Sequence, residues 1–200
     1  MNGEGLPLLL QEVNHRIRNL LAMIEAVLGQ TESRTVHDYR QKVIARISGL
    51  SDFYEVMYRS DTGRIRLAEL LEQTMRSCCA RSGQVVLGGP DVELGSQLAL
   101  WLHLVVHELA TNARKYGALS STGGTVNLTW EVQQTLGAAG KLALVWYEAG
   151  GPEVQQPKRR GFGSRLITKA LDQYGDVQLH FGPAGVACSM LINLDRDLGP

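Results

Sequence analysis

The sequence predicts an α+β protein in two parts, an N-terminal helical hairpin and a domain with helices on one face of a sheet. Apolar residues recur at steps of three and four up to Met57, and again from Leu98 to Ala113, which is the spacing of amphipathic helices. From Thr125 to Val132 they alternate with polar residues, as in a half-buried strand. Helices and strands mix without strict βαβ alternation, which indicates the α+β class.

The first part is predicted to be an antiparallel two-helix hairpin, and we assign it residues 1–60. One helix is expected from Leu6 to about Gln30 and the other from about Val36 to Met57, joined by a polar connection at Thr31 to Thr35. A single hairpin has too little core to be stable alone. Packing two hairpins into a four-helix bundle would solve this, so we expect a homodimer.

The second part is assigned to residues 64–200, after a predicted linker at Ser60 to Gly63. The expected elements are helices from Ile65 to about Arg81, from Ser96 (as N-cap) to Tyr116 and from Ser164 to Tyr174, two short strands within Gln84 to Leu94, strands from Thr125 to Val132 and Leu142 to Tyr147, and a closing hairpin of strands from Val177 to Phe181 and Val186 to Leu194.

Composition excludes several classes of protein. Hydrophobic residues make up 44% and charged residues 20%, with a net charge of zero, so there is no electrostatic case for nucleic-acid binding. No apolar run reaches the roughly 18 residues that a membrane span needs, and the N-terminus does not resemble a signal peptide. We therefore expect a cytoplasmic protein. The three cysteines, Cys78, Cys79 and Cys188, form no metal-binding or disulfide pattern and are predicted to be buried, inert thiols.

The helix expected to end at Gly117 carries polar chemistry on one side. Opposite its apolar stripe we expect a face that combines carboxylate and amide oxygens with a cation, made up of His107, Glu108, Thr111, Asn112 and Lys115. These groups suit a magnesium-bound phosphate, although an amphipathic surface helix is the alternative interpretation of this segment alone. Gly117 is a C-cap signal.

Two further segments indicate a nucleotide. Glu148 ends a predicted strand before Gly150 and Gly151, so its carboxylate could accept from an exocyclic amine where glycines permit close ligand approach. Gly161-Phe162-Gly163 leads into a helix N-terminus, which favours phosphate. The P-loop and Rossmann glycine patterns are absent, and so is the zinc-protease motif HExxH, because Thr111 stands where its second histidine would be.

His15 is the informative residue of the hairpin. Its position on the helix, opposite the apolar stripe, predicts a solvent-facing ring. An exposed histidine titrates near neutral pH and presents a nucleophilic nitrogen, although many exposed histidines have no role.

In order along the chain, these segments resemble the HWE sensor histidine kinases. Glu12 to Asn19 (EVNHRIRN) looks like the phosphoacceptor box, His107 to Ser120 (HELATNARKYGALS) like the N box, Trp146 to Pro152 (WYEAGGP) like the WxE box, and Gly161 to Ile167 (GFGSRLI) like the end of the ATP lid. The resemblance spans nearly the whole chain. It implies a dimerising phosphotransfer hairpin followed by a Bergerat-type ATP-binding sandwich.

The resemblance also implies roles for individual residues. His15 would take the γ-phosphoryl group of ATP and pass it to an aspartate of a response regulator. Asn112 would coordinate Mg²⁺ and Glu108 would act nearby, as second ligand or base. Lys115 would contact phosphate, Tyr116 would lie against adenine, and Glu148 would accept from the adenine amine. The remaining contacts to the nucleotide would come from two glycine-containing segments, Gly150-Gly151 and Gly161-Phe162-Gly163.

The residue after His15 is Arg16, so the proton acceptor has to be another group, and Glu12, Glu108 and His107 remain candidates. With no segment before the hairpin, the sensor domain is expected on a missing part of the receptor or on another protein. Two alternatives stay open. One is a phosphotransfer adaptor with a non-catalytic ATP-like domain, and the other is a Bergerat-fold kinase that acts on a serine of a partner.

Overall fold

The computed structural model describes residues 64–78, 83–134, 140–154 and 162–197, together with separate positions between residues 17 and 57. The chain divides into two units, Met1–Ser48 and Gly49–Pro200. The predicted linker at Ser60 to Gly63 lies outside the described residues, so the domain bounds expected from the sequence stay a prediction.

In the first unit, the described positions between residues 17 and 29 and between 36 and 47 are helical. The hydroxyl of Tyr39 donates a hydrogen bond to the carbonyl of Leu28 over 2.9 Å, which links the two helical runs. Several described apolar side chains of these runs are exposed, namely Ile17, Leu21, Leu28, Val36, Ile44 and Ile47. His15, like most other positions of the predicted hairpin, lies outside the described residues.

The second unit is built on a five-stranded mixed sheet. Its strands, in chain order, are β2 (Val85–Gly88), β4 (Thr125–Gln133), β5 (Lys141–Ala149), β6 (Gly175–Gly182) and β7 (Gly185–Asn193). Their spatial order is β2-β4-β5-β7-β6, and only the β2–β4 pair is parallel. Two three-residue strands, β1 (Arg64–Arg66) and β3 (Glu93–Gly95), form a separate antiparallel ribbon.

Three helices complete this unit: α1 (Leu67–Cys78), α2 (Ser96–Tyr116) and α3 (Phe162–Lys169). The inward side chains of β5 alternate along the strand, and Leu142, Leu144 and Trp146 are each 0% exposed. They form one core with the apolar stripe of α2, in which Leu98, Leu102 and Val105 are also fully buried. The α+β class is therefore confirmed. Among the described helices, none is long and apolar enough to cross a membrane.

The strands β4 to β7 and the helix α2 agree with the sequence prediction, and two other expectations were wrong. Residues Ile65 and Arg66 belong to β1, so the first helix begins only at Leu67; it is described as far as Cys78, and its expected end near Arg81 lies outside the described residues. The two short strands expected from Gln84 to Leu94 are present as β2 and β3, and they belong to different sheets, because β2 pairs with β4 and β3 pairs with β1. The last helix ends at Lys169, and Tyr174 lies in the following turn.

The N-cap of α2 was also assigned wrongly from the sequence. Gly95, and not Ser96, is the N-cap residue, and no side chain of the cap bonds the helix terminus. The N–H of Gly95 donates instead to Asp197 over 2.7 Å. Asp197 ends a short 3-10 turn at Leu194–Asp197, so a carboxylate 102 residues away satisfies the backbone at the start of α2.

Candidate functional site

A cavity of about 310 Å³ lies between α2, α3 and the ends of strands β5, β6 and β7. Its volume falls at the lower end of the range found for small-molecule sites. Apolar side chains supply most of the wall, with two carboxylates and an amide among them. The described lining residues are Leu109, Asn112, Tyr116, Gly117, Glu148, Glu153, Val154, Ser164, Ile167, Leu179, Phe181 and Val186.

Glu148 is the buried charged group of this cavity, only 2% exposed. Its Oε2 accepts the backbone N–H of Ala118 over 2.9 Å, and its Oε1 accepts the indole N–H of Trp146 over 3.1 Å. Burial raises the pKa of Glu148 above its usual 4.5, while the hydrogen bonds from Ala118 and Trp146 act in the opposite direction. The side chain is thus held in one orientation, with acceptor capacity left over because each carboxylate oxygen has two lone pairs.

The loop from Gly117 to Gly124 brings the Ala118 N–H to Glu148. Gly117 is the C-cap of α2, as predicted, but its φ of −113° is an extended conformation that any residue adopts. Glycine is required there for space, because a Cβ at residue 117 would overlap Oε2 of Glu148. The Gly117 backbone therefore forms part of the carboxylate pocket.

Gly150 and Gly151 pack against this same loop. A Cβ on Gly150 would lie 2.7 Å from the carbonyl oxygen of Gly123, and a Cβ on Gly151 would lie 2.6 Å from the Cα of Ala118. Gly150 also has a φ of +69°, which favours glycine. In the structure, both glycines allow the turn after β5 to approach protein backbone, whereas the sequence had suggested approach of a ligand.

Gln84 holds the far side of the loop. Its side-chain amide, 9% exposed, donates to the carbonyls of Ser121 over 2.7 Å and Gly124 over 2.8 Å. The sequence analysis did not identify this residue. A glutamine just before a short strand carries no recognisable signal, since its partners are 37 and 40 residues away.

The predicted polar face of α2 is only partly correct. Asn112 and Tyr116 line the cavity, and Tyr116 is 73% exposed at its rim. Lys115 is exposed and is not among the described lining residues. His107 does not share the polar face, because it is buried at 9% exposure with its ring centroid 5.9 Å from that of His103. The helix packs against neighbours on more than one side, so His107 falls in the core.

Glu108 lies beside the start of α3. It is half-buried, and a Cβ on Gly163 would overlap its carboxylate, so the α3 backbone and Glu108 pack closely together. The contact at Gly163 therefore links α3, whose N-terminus is predicted to bind phosphate, with α2, which carries Asn112. The side chain of Phe162 is not among those described, and Gly161 lies outside the described residues, as do His15 and Glu12.

His103 and His107 belong to a buried polar group on the other side of α2. The hydroxyl of Thr74 lies 2.8 Å from Nδ1 of His103 and 2.6 Å from the carbonyl oxygen of Leu70, to which it donates. The ring of Phe53 lies 5.7 Å from that of His103. This group stabilises the contact between α1 and α2 and is separate from the cavity.

Within the described part of the chain, no group of three or more His, Cys, Asp or Glu side chains could hold a metal ion. The cavity does contain the amide oxygen of Asn112. Magnesium in nucleotide sites takes one or two protein oxygens and completes its octahedron with phosphates and waters. The donor set therefore fits Mg²⁺ that arrives with a nucleotide, and does not fit a resident protein-bound metal.

Several lining residues were missed because they read as ordinary core positions. Leu179, Phe181 and Val186 alternate on the β6–β7 hairpin, and Ile167 belongs to the apolar face of α3. Nothing in a strand pattern tells which inward side chains meet a helix and which line a cavity.

Cys78 and Cys188 are buried at 2% and 1% exposure, as predicted, while Cys79 lies outside the described residues.

Comparison with known protein families gives a match to the model described as HWE histidine kinase, over residues 12–91. This range includes His15 and ends before His107, Trp146 and Glu148. A blue-light-activated histidine kinase of Brucella anthropi is 30% identical over 201 residues, which cover 96% of this chain and 40% of the relative. Its counterpart in Brucella ovis is 29% identical over 196 residues. The chain thus spans about 40% of the length of the curated relatives it matches.

Solved structures agree on the fold. The blue-light-activated histidine kinase of Erythrobacter litoralis covers 100% of this chain with a TM-score of 0.71 at 20% identity, and this chain covers 63% of it. A structure of its histidine kinase domain covers 92% of this chain with a TM-score of 0.63 at 16% identity, and is itself 96% covered. At these identities the likeness concerns the fold.

Proposed function

Because the chain belongs to the HWE histidine kinase family, we propose that it is a histidine kinase core that transfers the γ-phosphoryl group of Mg-ATP to His15. The observation that carries the proposal is Glu148, a buried carboxylate in a largely apolar cavity of about 310 Å³ with Asn112 on its wall. An apolar slot with one oriented acceptor suits a purine base, and a nearby amide oxygen suits Mg²⁺ on the phosphates.

The site residues expected from the sequence receive the following roles in this proposal. Glu148 accepts from the adenine amine, and Tyr116, exposed at the rim, lies against the base. Asn112 coordinates Mg²⁺, and Lys115, exposed one turn further along α2, reaches the phosphates. We assign the phosphates to backbone N–H groups of Gly161, Phe162 and Gly163. Gly150 and Gly151 maintain the loop that orients Glu148.

Phosphoryl transfer then depends on positioning and charge neutralisation. A ring nitrogen of His15 forms a bond to the γ-phosphorus while the bond from phosphorus to the β–γ bridging oxygen breaks, and ADP leaves. Glu12, Glu108 and His107 are the candidate proton acceptors. We favour Glu108, because it is half-buried beside Gly163 whereas His107 is packed against His103. The phosphoryl group is next passed to an aspartate of a response regulator receiver domain.

We further propose a homodimer formed through the hairpin of residues 1–60. The exposed apolar side chains Ile17, Leu21, Ile44 and Ile47 support it, since a second hairpin would remove them from water. Light scattering at several protein concentrations tests this: a monomer at every concentration contradicts it.

The kinase proposal is tested by incubation with γ-labelled ATP and Mg²⁺. We expect acid-labile label in the wild type and none in His15→Ala, with the His37→Ala variant, which replaces an exposed histidine, as the control. Asn112→Ala should abolish labelling and Asn127→Ala, on β4, should not. A wild type that binds ATP but takes up no label would support the adaptor alternative, and acid-stable label on a partner would support the serine kinase.

A further inference from the structure

Trp146 and Glu148 lie two residues apart on β5 and point to the same, inner side of the sheet. Trp146 is 0% exposed and is not among the described residues that line the cavity. Its indole N–H, a donor without acceptor capacity, is directed to Oε1 of Glu148 over 3.1 Å. The tryptophan therefore reaches the cavity only through the carboxylate.

We propose that Trp146 is a positioning residue that determines base specificity: its indole N–H fixes Glu148 to accept the 6-amino group of adenine. This inference rests on the proposed function, in which the cavity binds ATP. The ligand class that it selects is a purine nucleoside triphosphate with an amine donor at position 6.

The orientation follows from the two donors. Ala118 N–H holds Oε2 and Trp146 N–H holds Oε1, so the carboxylate cannot rotate without breaking one of the bonds. The remaining lone pairs of the Glu148 oxygens can bind only a group of the ligand that donates a hydrogen bond. A guanine places a carbonyl oxygen at position 6, which a carboxylate repels, so the arrangement selects by both attraction and repulsion.

The Trp146 bond also favours the ionised form of the carboxyl group. Burial acts to raise the pKa of Glu148, and the indole hydrogen bond opposes that rise. A protonated carboxyl would lose part of its acceptor capacity and could donate to the guanine carbonyl. The hydrogen bond from Trp146 thus favours a Glu148 side chain that can only accept hydrogen bonds, in addition to fixing its orientation.

Trp130 offers a matched control. It lies on β4, next to β5, is 6% exposed, and donates its indole N–H over 2.8 Å to the carbonyl of Pro90. Trp146→Phe and Trp130→Phe therefore each remove one indole donor from a buried aromatic side chain. Only the first removes a bond to Glu148.

The test compares binding of ATP and of purine riboside triphosphate, which lacks the 6-amino group, by calorimetry. We expect the wild type to prefer ATP by about tenfold or more, the usual size for a hydrogen bond to a charged group. Trp146→Phe should reduce this ratio roughly threefold to tenfold, through weaker ATP binding, with the analogue little changed. Trp130→Phe should leave the ratio unchanged. If Trp146→Phe weakens the binding of both nucleotides equally, so that the ratio of their affinities does not change, the inference is overturned.

This experiment separates the inference from the proposed function. A wild type that binds ATP and labels His15 but shows no preference for the amine would contradict the inference and leave the kinase intact. A wild type that binds neither nucleotide would contradict the proposed function itself.

If Trp146→Phe does not fold, the wild type still provides a test by NMR. The indole N–H resonance of Trp146 should shift more on addition of ATP than on addition of the analogue, whereas the Trp130 resonance should respond equally to both. Equal shifts of the Trp146 resonance with the two nucleotides would reject the proposal.

Discussion

Gly117 ends α2 directly against the carboxylate of Glu148, with no space between them for a methyl group. The two residues are 31 positions apart in the sequence, on a helix end and on the inner side of β5. This contact places the Ala118 N–H on Oε2 and closes one wall of the cavity. The end of α2 and this wall of the cavity are thus a single structural feature.

Replacing Gly117 by alanine should therefore disturb both stability and binding. A Cβ would force Glu148 away from Ala118, and overpacking of this kind costs about 1–3 kcal/mol of unfolding free energy. We expect a lower Tm and weaker ATP binding. The control is Gly123→Ala in the same loop, where an added Cβ meets nothing within 4 Å. A Gly117→Ala variant with native Tm and native affinity would show that Glu148 adapts freely.

Removing the hydroxyl that meets His103 should destabilise the α1–α2 contact. Thr74→Val keeps the shape but leaves Nδ1 of the buried ring without its partner at 2.8 Å, which costs about 1–3 kcal/mol. Urea unfolding measures the difference. Thr168→Val on α3, which removes a hydroxyl bonded within its own helix, should change the unfolding free energy by less than about 0.5 kcal/mol. Equal losses in the two variants would refute a special role for the Thr74–His103 pair.

Asp197 should give the protein a pH-dependent stability. Its carboxyl accepts the Gly95 N–H and lies 3.5 Å from Arg64, yet burial dominates and raises its pKa above 3.8. The folded state then binds the proton more tightly than the unfolded state. The contribution of Asp197 to unfolding free energy is therefore greatest at low pH and falls as the pH rises from 3.8 through the folded pKa.

Asp197→Asn removes this titration. The unfolding free energy of the variant, relative to that of the wild type, should therefore increase as the pH rises through that range. Chemical denaturation at several pH values between about 3.5 and 7 measures it. The exposed Asp91 provides the control Asp91→Asn. A constant difference between Asp197→Asn and wild type at every pH would contradict the expectation.

Cys188 should be unreactive in the native protein. It is 1% exposed, pairs with Trp146 across β5 and β7, and burial raises the pKa of its thiol to about 12. Alkylation needs the thiolate, which is scarce at pH 8 when the pKa is so high. Iodoacetamide at pH 8 followed by peptide mass spectrometry should find Cys188 unmodified until denaturant is added. Rapid labelling without denaturant would indicate frequent opening of the β5–β7 pair.

Much of the fold could be predicted from the sequence because it depends on local patterns. Alternation over Thr125 to Val132 and the three-and-four spacing from Leu98 to Ala113 correspond to β4 and α2. The short strand β1 was missed because three residues before a helix are too few to show a period. The N-cap was misplaced because the Gly95 N–H is bound by Asp197, at the other end of the chain.

The candidate site was predictable in its residue types and only partly in its arrangement. Asn112, Tyr116 and Glu148 were identified from the sequence and do line one cavity. His107 was expected beside them and lies in the core, because α2 is packed on several sides and a helical period does not reveal how many neighbours a helix has. Gly150 and Gly151 were noticed for their lack of side chains, but the groups that approach them are backbone atoms of the Gly117–Gly124 loop.

The sequence by itself determined the two-part α+β plan, the order of the four motifs from the phosphoacceptor box to the ATP lid, and the family that these motifs resemble. Each of these depends on residues close together in the chain. Only the tertiary structure decided that Glu148 is held by Ala118 and Trp146, that Gly117 is glycine for space, and that His107 is withdrawn from the cavity. These are distances between segments, and they arise when burial of apolar surface brings the segments together, which no local pattern encodes.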